Sequence, residues 1–317
     1  MGGENIAHFD LVKQQNKKII RNLLRKESPQ SVAQLASKSA LTYPTVASLL
    51  KELEHQGEVI KSQVIESCGG RPGVKYELNE DYQYGLVLCF KEKSMTAKVY
   101  NVYGQMVKEF AAAIYKEVKK EEVLSFIFLI HKEYENLTVI SIGVPGVVLN
   151  NSILFLPAFK DLEGTEFCQM LKDRFQCEVY AENDVNAIAI AEVKDHDSFA
   201  HIAYVNHCIG AGIVLNGEVF NGANGYAGEL EYLCKDITNA EESLVSCIMA
   251  LTCVLNLPLV YISGEECTLE VADAVSQKLN TLLPKDSVPK IVVTEDLDNK
   301  YEEGLYKRIL LYWENTI

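Results

Sequence analysis

The sequence predicts an α/β protein carrying a small helical head, on three observations. Apolar residues recur at helical spacing three times within the first 57 residues, with turn signals between them. From Tyr84 onward, short apolar runs bounded by Gly, Pro or Asn alternate with amphipathic stretches, as strands alternate with helices. Finally, CIGAGIVLNGEVFNGANGYAGELEYL (Cys208 to Leu233) joins an Asn216-Gly217 turn to a Gly- and Asn-rich loop. Asn-Gly between alternating apolar residues is the strongest short-range hairpin signal. The loop is open to two readings, an ordinary hairpin extension or a place where a ligand approaches the backbone closely.

A chain of 317 residues exceeds one core, so two or three domains are expected. Apolar content of 48% with 23% charged residues fits a globular protein, and no segment approaches the ~20 apolar residues of a membrane span. The longest candidate, Val123 to Ile130, reads as a buried helix. No basic segment followed by an apolar core opens the sequence, so no signal peptide is expected. The nine cysteines lie singly, with no CxxC pair, which predicts reduced thiols in a cytoplasmic protein and argues against a disulfide frame or a zinc cluster. Residues 1–78 carry 11 Lys/Arg against 8 Asp/Glu, while the remainder carries 19 against 36. An acidic body repels polyanions, and a mildly basic head can still dock on one.

In the head, Ile19, Ile20, Leu23 and Leu24 mark a helix ending near Lys26, and Ser28-Pro29 breaks it. A second helix runs from Val32 to Lys38. Thr42 is the expected N-cap of a third, Pro44 sits where a missing N–H costs nothing, and Gly57 closes it. Val46, Leu49, Leu50 and Leu53 form its apolar stripe. Glu58-Val59-Ile60 and Lys75-Tyr76-Glu77-Leu78 read as short strands joined by a polar loop containing Gly69-Gly70-Arg71-Pro72. This is the pattern of a winged helix-turn-helix, whose third helix enters the DNA major groove by its N-terminal end. Thr42, Tyr43, Thr45 and Ser48 are then candidate base-facing residues, and Lys38, Lys51, Lys61, Arg71 and Lys75 candidate phosphate contacts. The competing reading is a three-helix protein-interaction module.

In the body, Tyr84 to Phe90 and Met95 to Tyr100 read as paired strands, Glu121 to Tyr134 as a helix, and Thr138 to Val144 as a buried strand. Phe167 to Phe175 is helical, Glu178 to Tyr180 a strand, and Asn186 to Glu192 begins a helix. Phe199 to Val205 and Gly210 to Leu215 are strands. Leu259 to Gly264, Ile291 to Thr294 and a helix over Tyr301 to Trp313 complete the pattern.

The head, LASKSALTYPTVASLLKELEHQGEVIK followed by GGRP, resembles that of the repressors of the ROK family. In the body SIGVPGVV, AENDVNAIAIAE and IGAGIVLNGEVFNGANGYAGE resemble the sugar-binding half of ROK repressors and sugar kinases, in the same order. The resemblance implies a two-lobed hexokinase/actin-like (ribonuclease H-like) body. The expected divisions are a winged helix-turn-helix over 1–78, a first lobe over 79–195 and a second lobe over 196–317, with the C-terminal helix closing back on the first lobe. It also implies that Asp184 matches the catalytic base, that Asn183, Asp184 and Glu229 match sugar-hydroxyl ligands, and that Gly146 lies where the sugar passes the backbone. Glu242 matches a further acidic ligand. Without the resemblance, Asn183-Asp184 is most simply a helix N-cap.

Departures from the family pattern concern the phosphate side. Gly85 to Lys91 (GLVLCFK) stands where an Asp-x-Gly-Gly-Thr loop is expected, with Phe90 in place of a glycine, which would block the anion-binding concavity. Asn206-His207-Cys208 replaces a second glycine loop. Glu231-Tyr232 and the single Cys234 replace a zinc motif, and about fifty helical residues are missing, leaving the second lobe trimmed. The expectation is a DNA-binding regulator of carbohydrate genes, of repressor class by resemblance, with Asp184 a vestigial base, no cofactor and no metal. Its expected partners are double-stranded operator DNA, a sugar or sugar derivative, and further copies of itself as a homodimer or larger oligomer. The alternative is a sugar kinase using Asp184.

Overall fold

The computed structural model describes residues 2–62, 73–91, 94–114, 118–164, 166–193, 196–234 and 239–316. The head begins with α1 (Gly2–Lys26), followed by β1 (Gln30–Ser31), α2 (Val32–Ser39), α3 (Tyr43–His55), β2 (Val59–Lys61) and β3 (Lys75–Leu78). Ser31 and Gln34 form a reciprocal capping box at α2, satisfying two otherwise orphaned N–H groups. Thr42 caps α3 through the N–H of Thr45, with Pro44 in the first turn. The strands pair antiparallel in the order β1-β3-β2. Ile20, Leu24, Leu35, Val46, Leu50 and Leu53 are all fully buried between the helices, each contributing roughly 1.5–3 kcal/mol of apolar burial. Arg21 donates to both carboxylate oxygens of Glu58 at 2.6 and 2.9 Å, and both residues are buried.

The body is a duplicated plan. Its first half comprises β4 (Tyr84–Lys91), β5 (Ser94–Tyr100), β6 (Met106–Ala113), α4 (Lys120–Glu133), β7 (Leu137–Val144), β8 (Val147–Leu149), β9 (Ser152–Phe155), α5 (Glu166–Phe175), β10 (Glu178–Asn183) and α6 (Asp184–Glu192). The second half comprises β11 (Phe199–Val205), β12 (Cys208–Leu215), β13 (Glu218–Val219), α7 (Ala240–Leu255), β14 (Leu259–Ser263), α8 (Leu269–Leu282), β15 (Lys290–Val293) and α9 (Leu297–Thr316). Each half builds a five-stranded sheet, β10-β7-β4-β5-β6 and β13-β12-β11-β14-β15. In each sheet three neighbouring strands pair parallel, and the remaining two pairings are antiparallel. Strands β4 and β7, buried on both faces, read as continuous apolar runs. Edge strand β6 is largely exposed and lacks clean alternation, which is why the pattern does not announce it.

The last helix of each half covers the sheet of the other. Trp313, Ile309, Leu305 and Tyr301 of α9 pack on Val87, Cys89 and Val139 of the first sheet. Gly212 of β12 lies under α6, where an added Cβ would come within 2.6 Å of the Val185 carbonyl. The two helices touch each other at Gly304, where a Cβ would overlap the carbonyl of Ala187. Helix α4 buries Val123, Leu124, Ile127 and Ile130, but Phe128 and Leu129 face solvent, so it is amphipathic rather than wholly buried.

Head and body are joined by more than the chain. Val102 and Tyr103, in the β5–β6 turn, pack into the head's core. Tyr103 Oη donates to the Leu78 carbonyl at 3.0 Å, and Arg25 Nε to that of Val102 at 2.8 Å.

Candidate functional site

The N-terminus of α6 lies at the C-terminal edge of the first sheet, where open α/β sheets place their ligands. Asn183 is its N-cap: Oδ1 accepts from the Asn186 N–H at 2.9 Å. The same side chain donates Nδ2 to the Gly146 carbonyl and to Asp184 Oδ1, both at 3.0 Å. The capping reading and the ligand reading of this residue are therefore compatible. Asp184 Oδ1 also accepts from the Val185 N–H at 2.8 Å. Burial pushes the Asp184 carboxyl up to about 6, against the opposing pull of these hydrogen bonds. Glu229 is raised as well, by burial first and then by the charges of Glu231 and Asp184. Two acidic groups lining a partly buried cleft can accept hydrogen bonds from the hydroxyls of a polyol.

Several short contacts place Glu229 there. Asn186 Nδ2 reaches Asn221 Oδ1 at 3.1 Å, tying the glycine-rich loop to α6. Ala211 N–H donates to the Gly228 carbonyl at 2.8 Å, and Gly228 has φ +98° with no room for a Cβ against the Ala211 carbonyl. Gly225 abuts Val147 and Val148 of the first half, so the loop spans both halves of the body. Gly146 has a local reason to be glycine, since a Cβ would overlap the carbonyl of Phe155. Glu242 stands apart: exposed in the first turn of α7, it takes its N–H cap from Asn239 at 3.2 Å, and among the described residues its carboxylate meets neither Asp184 nor Glu229.

The phosphate side is built differently from the expected loops. Phe90 does not sit over the turn; its ring is buried in the first core, edge-on to Phe159 at 5.2 Å. Its bulk therefore does not plug a concavity as expected. The altered surface comes from its neighbours: Cys89 faces α9 with its thiol pushed up to about 12 by burial, and Tyr301 lies over Gly143 with its hydroxyl toward the Phe90 carbonyl at 3.4 Å. Asn206 and His207 form a tight hairpin turn with φ of +52° and +64°, not a glycine loop. Cys234 is not solitary: its Sγ lies 3.4 Å from that of Cys247, a contact across thirteen residues that spacing alone did not suggest.

In the head, Thr42, Tyr43, Ser48 and Lys51 are exposed, and Pro44, Ser48 and Lys51 form a stripe at i, i+4, i+7 opposite the buried face of α3. Thr45 is half-buried and shares a hydrogen bond with Thr42 at 2.8 Å. Lys38 is paired with Glu27 and Lys61 with Glu54, so both reach a phosphate only by giving up an acidic partner. Arg71 lies outside the described residues.

The model of the ROK family matches residues 94–247. A protein of Caldicellulosiruptor sp. (strain Rt8B.4), named as a proposed xylose repressor, is 31% identical over 248 residues, 74% of this chain and 62% of its own length. The xylose repressor of Bacillus spizizenii (strain ATCC 23059 / NRRL B-14472 / W23) is 26% identical over 247 residues, 73% of this chain and 63% of its own. The regulator NagC of Escherichia coli (strain K12) is 23% identical over 245 residues, 73% of this chain and 60% of its own. The chain thus spans about three fifths of the length of these curated relatives. Among solved structures, a ROK-family transcriptional regulator described as a homologue of the E. coli MLC protein superposes with TM-score 0.65 at 19% identity, over 96% of this chain and 99% of its own. A proposed N-acetylmannosamine kinase of Listeria monocytogenes gives 0.61 at 16% identity, over 73% of this chain and all of its own.

Proposed function

We propose, from the match of residues 94–247 to the model of the ROK family, that the chain is a DNA-binding transcriptional regulator, of repressor type, for carbohydrate genes. The observation that carries this reading is the union, in one chain, of an exposed α3 stripe with a cleft that keeps acidic ligands and lacks glycine phosphate loops. In this reading residues 1–78 are a winged helix-turn-helix, 79–195 the first lobe and 196–317 a trimmed second lobe. Thr42, Tyr43, Thr45 and Ser48 read bases, and Lys38, Lys51 and Arg71 meet phosphates. The names of two of the relatives, xylose repressors, support a sugar-type effector. Asn183, Asp184 and Glu229 would hold its hydroxyls, with Gly146 bracing Asn183 through its carbonyl and Glu242 as a further acidic ligand.

A sugar gripped between the lobes shifts the population of lobe arrangements by its differential affinity for them. Because Val102 and Tyr103 of the body lie in the head's core, such a shift is transmitted to the heads and, in a homodimer, to their spacing on operator half-sites. Phosphoryl transfer is not part of the reading. Asp184 has the position of a base, but the nucleotide phosphates would meet a hairpin turn and a tyrosine-lined surface in place of backbone N–H cradles.

The test is titration of the full chain onto promoter DNA adjoining its gene at several salt concentrations. Preference over random DNA that weakens when Ser48 and Lys51 are replaced by alanine is expected. Equal affinity for both DNAs would refute the regulator. ATP consumption with a panel of hexoses tests the kinase alternative, and turnover abolished by Asp184→Asn would establish it.

A further inference from the structure

A cavity of about 540 Å³ opens at the N-terminal ends of β4 and β7, between the segment that leaves the head and the end of α5. It lies at the far edge of the sheet from Asp184, roughly 23 Å away along the strands. Gln83, Asn136, His131 and Arg174 line it, with Phe175 and Tyr82. Gln83 is only 5% exposed, yet its amide has no hydrogen-bond partner among the described residues. The amide therefore stands in the lining of the cavity with its donor and its acceptor open to whatever enters.

Charge adds a second, independent observation. In a chain of net charge −14, the Arg174 guanidinium has no carboxylate partner among the described residues. It rests over the Phe128 ring, 5.9 Å from its centre. The His131 ring lies 5.4 Å from that of Phe175. Glu135 is the one carboxylate among the residues lining the cavity. Asn136 donates Nδ2 to the Asp81 carbonyl at 3.1 Å, which fixes its side chain and leaves Oδ1 as an acceptor.

We propose that this cavity is a second ligand site, for a small hydroxylated anion: a sugar phosphate or a sugar acid. The Arg174 fork matches the two oxygens of either anionic head. Gln83 and Asn136 supply donor and acceptor for hydroxyls, and the Phe175 face suits the apolar side of a sugar ring. The volume is that of a small-molecule pocket. The cleft at Asp184 is unsuited to the same ligand, since Glu229 and Glu231 stand beside it and would repel an anion. The site also touches the joint, because Tyr82 donates its hydroxyl to Glu58 at 3.4 Å.

Isothermal titration of the full chain with glucose 6-phosphate, gluconate, glucose and inorganic phosphate tests the assignment. Binding of glucose 6-phosphate or gluconate is expected, undisturbed by excess glucose; which of the two binds distinguishes a phosphate head from a carboxylate. Arg174→Gln should weaken it at least about tenfold, and Asp184→Asn should leave it within about twofold. Gln83→Leu, which keeps volume and removes the amide, should weaken it in parallel and guards against a folding defect in either variant. The assignment falls if neither anion binds up to about 10 mM, if Arg174→Gln and Gln83→Leu leave affinity unchanged, if Asp184→Asn abolishes binding, or if inorganic phosphate binds as well as the ester, an adventitious ion only.

Discussion

Replacing Asp184 by asparagine should stabilise the protein, and by an amount that depends on pH. Burial holds this carboxyl near 6, against an ordinary 3.8. The folded chain therefore binds the proton more tightly than the unfolded chain does. The stability that protonation confers is complete below about pH 3.8, decays as pH rises from there to 6, and above 6 the buried carboxylate costs about 3 kcal/mol relative to a neutral group. Asparagine keeps the shape and an oxygen to accept from the Val185 N–H, but exchanges a charged acceptor for a neutral one, forfeiting about 1 kcal/mol. The net expectation is a gain of about 2 kcal/mol at neutral pH that disappears near pH 4. Urea unfolding of both proteins at a series of pH values measures it. A variant that is less stable than the parent at pH 8, or a difference that does not change with pH, would refute the reasoning. The opposite effect is expected on sugar binding, because the charged carboxylate is the better hydroxyl acceptor.

Arg21→Ala leaves Glu58 buried without its partner and should cost about 3–5 kcal/mol in urea unfolding, much of it recovered in the Arg21→Met, Glu58→Leu double variant. Gly104→Ala, at φ +78° with Tyr306 Oη where the methyl would go, should cost at least about 2 kcal/mol by thermal unfolding. His201 is buried and held neutral, its ring pushed down to about 3 by burial, while in the unfolded chain it protonates near 6.5. Its contribution is present above 6.5 and is lost as pH falls below that value, so His201→Gln should flatten the loss of stability between about pH 6 and pH 4, read from thermal unfolding across that range.

The head was legible because its signals are local. Thr42, Pro44 and the Val46–Leu53 stripe each act within one turn of helix, and all stand where their spacing puts them. The hairpin at Asn216-Gly217 was equally plain, with both residues at positive φ. The site was legible in part. Asn183 and Asp184 announce a cap from sequence, but the effect of the Asp184 charge on Glu229 depends on a loop folded back from far along the chain, and no local rule contains that. Glu242 shows what alignment alone supplies, a matching residue type that the structure leaves exposed in the first turn of α7. Phe90 shows the limit of arguing from size, since strand alternation turned its ring into the core. Cavity residues Gln83 and Arg174 carried no signal at all: an isolated amide and an isolated arginine become notable only when burial and missing partners are known.

The exchange of closing helices between the two halves has a bearing on how the chain is made. The first sheet receives its cover, through Trp313 on Thr138 and Glu302 on Lys98, from residues 175 and 204 positions later in the sequence. A growing chain emerges at about 5–20 residues per second, so Val87 and Val139 stand bare for roughly ten seconds or more after they leave the ribosome. During that time an apolar surface is open to wrong partners, and its burial waits on contacts of very high sequence separation. The last segment translated thus decides when the first lobe becomes native, and damage to α9 should be felt as aggregation during expression before it is felt as any loss of binding.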